Sequence, residues 1–103
     1  MINLRTATMR EKDIEKLLVE AVHRRNGLCP KWVSPAFDGV PDRIILLPHR
    51  RIAFAELKAP GKKMRPLQFR RKIQLEHLGF KVYCIDCPLE IEPVLNEIEG
   101  GSL

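Results

Sequence analysis

Two apolar runs, "DRIILL" and "RIAFAELK", are separated only by "PHR" between positions 42 and 58. Short runs rich in Ile, Leu and Phe are typical of β-strands, and a connection of this length favours an antiparallel hairpin. If "PHR" is a three-residue turn, Ile44 lies opposite Phe54, and two residues further along each strand Asp42 lies opposite Glu56. Because alternate residues share a face of a strand, Glu56 and Lys58 point the same way and Leu57 points into the opposite layer.

Helical patterns flank this hairpin. Apolar residues recur at helical spacing from Arg10 to Arg25, and Thr8 with Glu11 has the form of a capping box. A second helix is predicted from Pro66 to Leu78, opened by proline and stopped by Gly79. The apolar positions that mark a short closing helix are Ile91, Val94, Leu95 and Ile98.

The remaining segments complete a mixed sheet. "FKVYCID" reads as a third strand, and an irregular connection before the hairpin contains a short extended piece at 31–34. A strand, a crossover helix and a further strand favour right-handed parallel pairing. The predicted fold class is therefore α/β, with a small mixed sheet of a hairpin plus a further strand, flanked by α-helices.

The size of the chain predicts one domain over residues 1–103, because 103 residues suffice for one hydrophobic core. Hydrophobic residues make up 45% of the sequence and charged residues 30%, which indicates a globular protein. We find neither a run of roughly 20 apolar residues nor a cleavable leader pattern, so we expect no membrane association and a cytoplasmic location. Three cysteines, an odd number, do not suggest a disulfide framework.

The net charge of +5 is concentrated in one segment. The stretch "KAPGKKMRPLQFRRK", from Lys58 to Lys72, contains seven basic residues and no acid. A charge run of this kind is either a solvated face or the electrostatic footprint of a phosphate-backbone binder.

The predicted pairing of Asp42 with Glu56 is unfavourable unless something offsets the repulsion between the two carboxylates. Two carboxylates and a backbone carbonyl form a hard oxygen site suited to Mg²⁺ or Mn²⁺. Such an ion polarises a phosphodiester, and Lys58 could orient a water or stabilise developing charge, which predicts phosphodiester hydrolysis. The alternative is a structural ion pair between Lys58 and Asp42 or Glu56.

The combination "GVPDRIILL", "IAFAELKAPGK" and "RPLQ" resembles the VRR-NUC branch of the PD-(D/E)XK nuclease superfamily, in its stand-alone phage and bacterial form. The resemblance runs from about Glu11 to Glu97 and implies a restriction-endonuclease-like core, an Mg²⁺- or Mn²⁺-dependent nuclease and similarity to Holliday-junction resolvases, which implies a homodimer. Residue by residue, it implies that the metal ligands are Asp42, Glu56 and the carbonyl of Leu57, and that the other catalytic residues are Lys58, Gln68 and Glu15.

Position alone leaves alternatives open for two of these residues. Glu15 lies at the margin of the apolar stripe of the first helix, where it could reach the site or face solvent, and Glu20 is a weaker competitor. Gln68, in the first turn of the second helix, could hold a water or a phosphate, or could be a surface glutamine. The residues that we expect to contact nucleic acid are Lys31, Lys62, Lys63, Arg65 and Arg71.

The second helix has apolar residues on two sides, Leu67, Leu75 and Leu78 on one and Phe69 and Ile73 nearly opposite. Such a helix is either sandwiched within the domain or faces a partner. Trp32 could be a core residue or a platform near DNA. We expect Cys84 and Cys87 to be buried, inert thiols, and the three histidines are too scattered to suggest a metal site.

Four functional classes follow from these features. The first is a metal-dependent endonuclease acting on DNA, in particular on branched or Holliday-junction-like DNA, in a bacterial or phage-infected cell. The second is a non-catalytic nucleic-acid-binding module, and the third a nuclease subunit that needs a helicase or recombination partner. The fourth is a thiol-redox protein.

Overall fold

The computed structural model describes residues 9–101 and confirms the predicted hairpin. Strands β1 (Arg43–Leu47) and β2 (Arg51–Leu57) pair antiparallel, with Leu47 opposite Arg51. The turn between them is tight because His49 and Arg50 both adopt positive φ angles, 68° and 61°. Strand β3 (Lys81–Ile85) pairs with β2 in parallel, and the sheet order is β1-β2-β3. The fold is the predicted mixed α/β arrangement.

Three α-helices surround this sheet, and none of them, within the described part of the chain, is long and apolar enough to cross a membrane. They are α1 (Glu11–Arg24), α2 (Pro66–His77) and α3 (Ile91–Asn96), the last of which follows a 3-10 turn, Pro88–Glu90, and continues into the turn Glu97–Gly101. The predicted cap residue Thr8 lies outside the described residues. The residue before α1 is Arg10, whose backbone N–H donates a hydrogen bond to the Asp13 carboxylate at 3.0 Å.

The alternation of side chains along β2 divides the interior into two clusters. Ala53, Ala55 and Leu57 pack with α1 and α3 in the larger cluster. Phe54 points to the other face, where Leu75 of α2 and Val82 complete the smaller cluster. Leu57 thus lies in the opposite layer from Glu56, as predicted, and Glu56 is directed toward α2.

Trp32 is partly buried and packs against the smaller cluster, which favours the first of its two predicted roles, a core residue. Its ring centroid lies 5.1 Å from that of Phe54, and Phe54 in turn makes an edge contact with Phe80. Leu75 is the buried residue of α2, whereas Phe69 and Ile73 remain exposed. Helix α2 therefore packs on the sheet with one side and is not sandwiched within the described residues.

An extended segment that the sequence only partly indicated borders β1. Leu28 and Leu46 exchange two backbone hydrogen bonds of 2.9 Å, and the backbone N–H of Trp32 donates to the carbonyl of Asp42 at 3.0 Å. The extended piece thus begins three residues before the predicted Lys31. It holds the backbone of Asp42 in place immediately before β1.

Gly27 permits this segment to approach the sheet closely. A Cβ atom at position 27 would lie 2.3 Å from the carbonyl oxygen of Leu46 and 2.9 Å from side-chain carbons of Leu47 and Val22. A side chain there requires the backbone of β1 or of the segment to move, and the interior around it is close-packed.

We therefore predict that Gly27→Ala lowers the free energy of unfolding by about 3 kcal/mol, because overpacking against backbone is not relieved by a rotamer change. Gly61→Ala is the control, since nothing lies within 4 Å of its Cβ position and only its positive φ opposes the substitution. That control should cost about 1 kcal/mol. Urea denaturation measures both, and equal losses would contradict the close approach at Gly27.

Candidate active site

Asp42 stands at the junction between the segment bordering β1 and the strand itself. Its Oδ2 accepts a hydrogen bond of 2.9 Å from the backbone N–H of Leu57, at the end of β2. Pro41 before it is fully buried, and Gly39 has a positive φ of 84° in close contact with Leu67 of α2. The "GVPD" sequence thus fixes the carboxylate of Asp42 against the end of β2.

Glu56 is a buried carboxylate, with only 1% of the residue exposed. Its Oε2 accepts a 2.6 Å hydrogen bond from Gln68 Nε2 and lies 3.4 Å from Lys58 Nζ. Its Oε1 is buried and has no hydrogen-bond partner among the described residues. Buried polar atoms are nearly always paired, so this oxygen is an exception that requires an explanation.

Burial and like charge raise the pKa of both carboxyls. The pKa of Glu56 rises from 4.5 to about 7, first because burial disfavours the charged form and second because of the charge of Asp42, while Lys58 opposes both effects. Burial also raises the pKa of Asp42, although the hydrogen bond from Leu57 N–H acts in the opposite direction. The two acids predicted to face each other therefore interact through their charges.

A divalent cation fits these donors better than a purely structural ion pair does. The ion pair between Lys58 and Glu56 exists, but it uses Oε2 and leaves Oε1 desolvated without compensation. Coordination of this buried oxygen to a hard cation would balance its negative charge and offset that cost. The described residues contain no group of three His, Cys, Asp or Glu side chains that could hold a metal ion, so a cation here would need water or substrate oxygens as further ligands.

Gln68 connects the start of α2 to this site. Its Oε1 accepts a hydrogen bond of 2.9 Å from the backbone N–H of Arg65, and its Nε2 donates to Glu56. The amide is therefore part of the site rather than a surface glutamine. Its position against a carboxylate differs from the predicted contact with a water or a phosphate.

Glu15 forms an ion pair with Arg43, the residue that follows Asp42. Its Oε2 accepts a 2.7 Å hydrogen bond from Nε of Arg43, whose guanidinium also donates to the carbonyl of Cys29 at 2.8 Å. The charge of Glu15 nevertheless contributes to the raised pKa of Asp42. The competitor, Glu20, is exposed.

Sequence reasoning missed Arg43 and Glu11. The charge of Glu11 makes the smallest contribution to the raised pKa of Glu56. The signal was available, because Glu11 and Glu15 are four residues apart and share one face of a helix. Arg43 could not be assigned, since its contacts join α1 and the segment that borders β1.

The residues predicted to contact nucleic acid come from three segments of the chain. Lys31, Lys62, Lys63 and Arg65 are exposed, and Lys31 pairs with β1 through its backbone while the other three lie between β2 and α2. Arg71 is engaged within the protein. Its Nε donates to the carbonyl of Asp38 at 2.7 Å, and its guanidinium lies 3.9 Å from the ring centroid of Phe37.

The cysteines are free thiols, as expected, but only Cys29 is buried. Burial raises its pKa to about 11, and burial followed by the charge of Glu56 raises the pKa of Cys84. Cys84 and Cys87 are half-buried, so the expectation of two buried thiols was wrong. A raised pKa keeps a thiol protonated and poorly nucleophilic.

Both the sequence and the fold of this chain are similar to those of known proteins. The chain is 46% identical over 78 residues to "Putative nuclease p44" of Acyrthosiphon pisum secondary endosymbiont phage 1, which covers 76% of this chain and 84% of that protein. Its fold is similar to that of a solved structure described as a VRR_NUC domain, with a TM-score of 0.78 and 24% identity over 84% of this chain and 94% of that one. No protein-family profile matches the chain.

The raised pKa of Glu56 predicts a stability that depends on pH when divalent cations are absent. The folded state binds this proton more tightly than the unfolded state does, so the free energy of unfolding should fall as pH rises from about 4.5 to about 7. Glu56→Gln should make this slope shallower, whereas the exposed Glu20→Gln should leave it unchanged. Denaturation in EDTA across this range measures the slope, and a slope unaffected by Glu56→Gln would contradict the assignment.

Proposed function

Because this chain belongs to the same family as the phage protein named "Putative nuclease p44" and has the fold of a VRR_NUC domain, we propose that it is a metal-dependent endonuclease that hydrolyses phosphodiester bonds of DNA. The observation that carries this proposal is the buried oxygen of Glu56 that has no hydrogen-bond partner among the described residues, on a side chain that also contacts Lys58 and Gln68. A structural role for the carboxylate would leave that atom unexplained.

The cation is Mg²⁺ or Mn²⁺, and its protein ligands are the carboxylates of Asp42 and Glu56 and the carbonyl of Leu57. When bound, the ion polarises the scissile phosphate and lowers the pKa of an attacking water. Asp42 contributes a carboxylate oriented by the Leu57 N–H, and Glu56 contributes one oriented by Gln68. These hydrogen bonds hold the ligands before the ion arrives, which reduces the cost of binding.

Lys58 is the residue that acts on the water or on the phosphate. Its Nζ lies 3.4 Å from Glu56 Oε2, and the residue is 9% exposed, so the amine stands beside the carboxylates with little access to bulk water. There it orients the attacking water or stabilises charge that develops on the phosphate. Gln68 positions Glu56, and Glu15 adds negative charge beside Asp42 from its pair with Arg43.

The substrate is DNA with branches or other structure, such as a Holliday junction, inside a bacterial or phage-infected cell. Lys31, Lys62, Lys63 and Arg65 are exposed and contact the phosphate backbone. The guanidinium of Arg71 lies over the ring of Phe37. We therefore propose that Arg71 contributes less to binding the DNA phosphates than the four exposed residues do.

We also propose that the active form is a homodimer. The support is that Ile73 and Leu78, toward the C-terminal end of α2, expose 39% and 73% of their surface. A helicase or recombination partner could use the same residues. The alternative of a non-catalytic binding module is disfavoured by Glu56 and Asp42, because two neighbouring acids repel a phosphate unless a cation lies between them.

We predict that Asp42→Asn reduces cleavage at least 100-fold, because it removes one charge from the cation site and retains an acceptor for Leu57 N–H. Lys58→Ala should have a comparable effect, and Asp38→Asn, an exposed acid on the preceding loop, should retain activity. The assay compares four-way junction, flap, nicked and linear duplex in Mg²⁺, Mn²⁺ and EDTA. Undiminished cleavage by Asp42→Asn would refute the assignment of Asp42 to the active site. If the wild-type protein binds DNA without cleaving it, the alternative of a non-catalytic binding module is favoured.

A second prediction concerns the cation itself. Mn²⁺ at 100 times its Kd should stabilise the wild-type protein by about 2.7 kcal/mol through linkage, because the unfolded chain lacks the assembled site. The melting temperature should therefore rise with Mn²⁺ for the wild type and for Glu20→Gln, and not for Asp42→Asn or Glu56→Gln. This measurement does not require a substrate. A shift retained by both site variants would exclude these carboxylates as ligands.

A further inference from the structure

A groove opens beside the carboxylates, on the β3 side of the site. Its volume is about 510 Å³, within the range of roughly 300–1,000 Å³ for small-molecule sites. The loop between β2 and α2 forms one wall, the first turns of α2 form another, and the end of β3 forms the floor. The lining residues that matter here are Lys62, Lys63, Met64, Phe69 and Cys84.

The groove shares its walls with the candidate active site. Cys84 is the direct neighbour of Glu56 in the register between β3 and β2, so its side chain lies on the same face of the sheet. Phe69 follows Gln68, whose amide donates to Glu56. A ligand in the groove would therefore lie next to a phosphate that is bound at the carboxylates.

The chemistry of the lining combines an aromatic surface with positive charge. Phe69 is 53% exposed. Neither Lys62 nor Lys63 forms an ion pair within residues 9–101. The acid in the lining, Asp86, already accepts a hydrogen bond from the backbone N–H of Gly61 at 3.2 Å.

An aromatic side chain beside free amines is the arrangement by which proteins bind single-stranded nucleic acid. Bases stack on the ring whatever their identity, and lysines contact the flanking phosphates. A base that is paired within a duplex cannot enter such a groove without leaving its stack, and leaving costs least for a base that is mismatched or unpaired. Positive charge at the mouth also disfavours a purely apolar partner.

We propose that this groove binds one unpaired nucleotide of the substrate, with its base on Phe69 and its phosphates at Lys62 and Lys63, beside the phosphate that is cleaved. The inference rests on the proposed nuclease function and adds a selection rule to it. Substrates with an unpaired base near the cleavage position, such as bulges, flaps and opened junctions, are preferred over perfect duplex. The preference comes from binding, before any bond is broken.

The test measures binding in EDTA, where cleavage does not occur. Fluorescence anisotropy compares a duplex carrying one bulged base with the matched perfect duplex, and 2-aminopurine at the bulge reports stacking. The wild type should bind the bulged duplex about tenfold more tightly and quench the 2-aminopurine. Phe69→Leu should lose the preference and the quenching while its affinity for perfect duplex is unchanged, and Phe69→Trp should retain both.

Two further variants separate the contributions. Ile52→Ala, an exposed apolar residue near the hairpin turn and far along β2 from Glu56, should behave as wild type. Lys62→Ala should weaken binding to both duplexes and reduce the slope of log affinity against log salt by about 0.9, whereas Lys81→Ala, an exposed lysine at the other end of β3, should not. Thermal melting confirms that each variant is folded.

Equal wild-type affinity for the two duplexes, or a preference that survives Phe69→Leu, would overturn the inference. A change in sedimentation coefficient caused by Phe69→Leu would also overturn it, since Phe69 would then be a contact between protein chains. These outcomes are distinct from failure of the proposed function. If the protein binds the bulged duplex preferentially but does not cleave DNA in Mn²⁺, only the proposed nuclease function is refuted. If it cleaves DNA without preferring the bulged duplex, only the proposed role of the groove is refuted.

Discussion

The hydrogen bond from the backbone N–H of Leu57 to the carboxylate of Asp42 joins the two strand ends on which the site depends. In an ordinary hairpin a backbone carbonyl would receive a donor at this position, and the ladder would simply continue. Here a side chain replaces the carbonyl, so the end of β1 is occupied by a carboxylate. The same hydrogen bond lowers the pKa of Asp42 against the effect of burial and favours its charged form.

Successive side chains of β2 point alternately into the larger core cluster and toward the candidate active site, so the strand contributes to both stability and chemistry. Ala53, Ala55 and Leu57 are fully buried in the larger cluster and hold the strand rigidly in place. Glu56 lies on the other face, where its contacts with Gln68 and Lys58 orient its carboxylate. Removing one partner from a buried ion pair typically costs about 3–5 kcal/mol, so Lys58 and Glu56 depend on each other.

Sequence patterns predicted the elements whose signals are local. The hairpin register followed from the length of "PHR", and the burial of Leu57 opposite Glu56 followed from the alternation of β2. The segment around Leu28 was only partly predicted, because its pairing with β1 depends on hydrogen bonds to residues 14 or more positions away, at Ile44 and Leu46. The contacts of Arg43 and Arg71 were missed for the same reason. The contact of Gln68 with Glu56 joins two elements, and no periodicity in either of them indicates it.

Helix α2 links the site to the rest of the fold through few contacts. Leu75 is its buried residue, so apolar packing fixes the helix loosely, and two polar contacts complete its attachment. Gln68 binds Glu56 on one side, and Arg71 binds the carbonyl of Asp38 on the other, four residues before Asp42. The helix therefore contacts Glu56 directly and the loop before Asp42 through Asp38. Because Gln68 and Lys58 both contact Oε2, Oε1 is the oxygen of Glu56 that has no partner among the described residues.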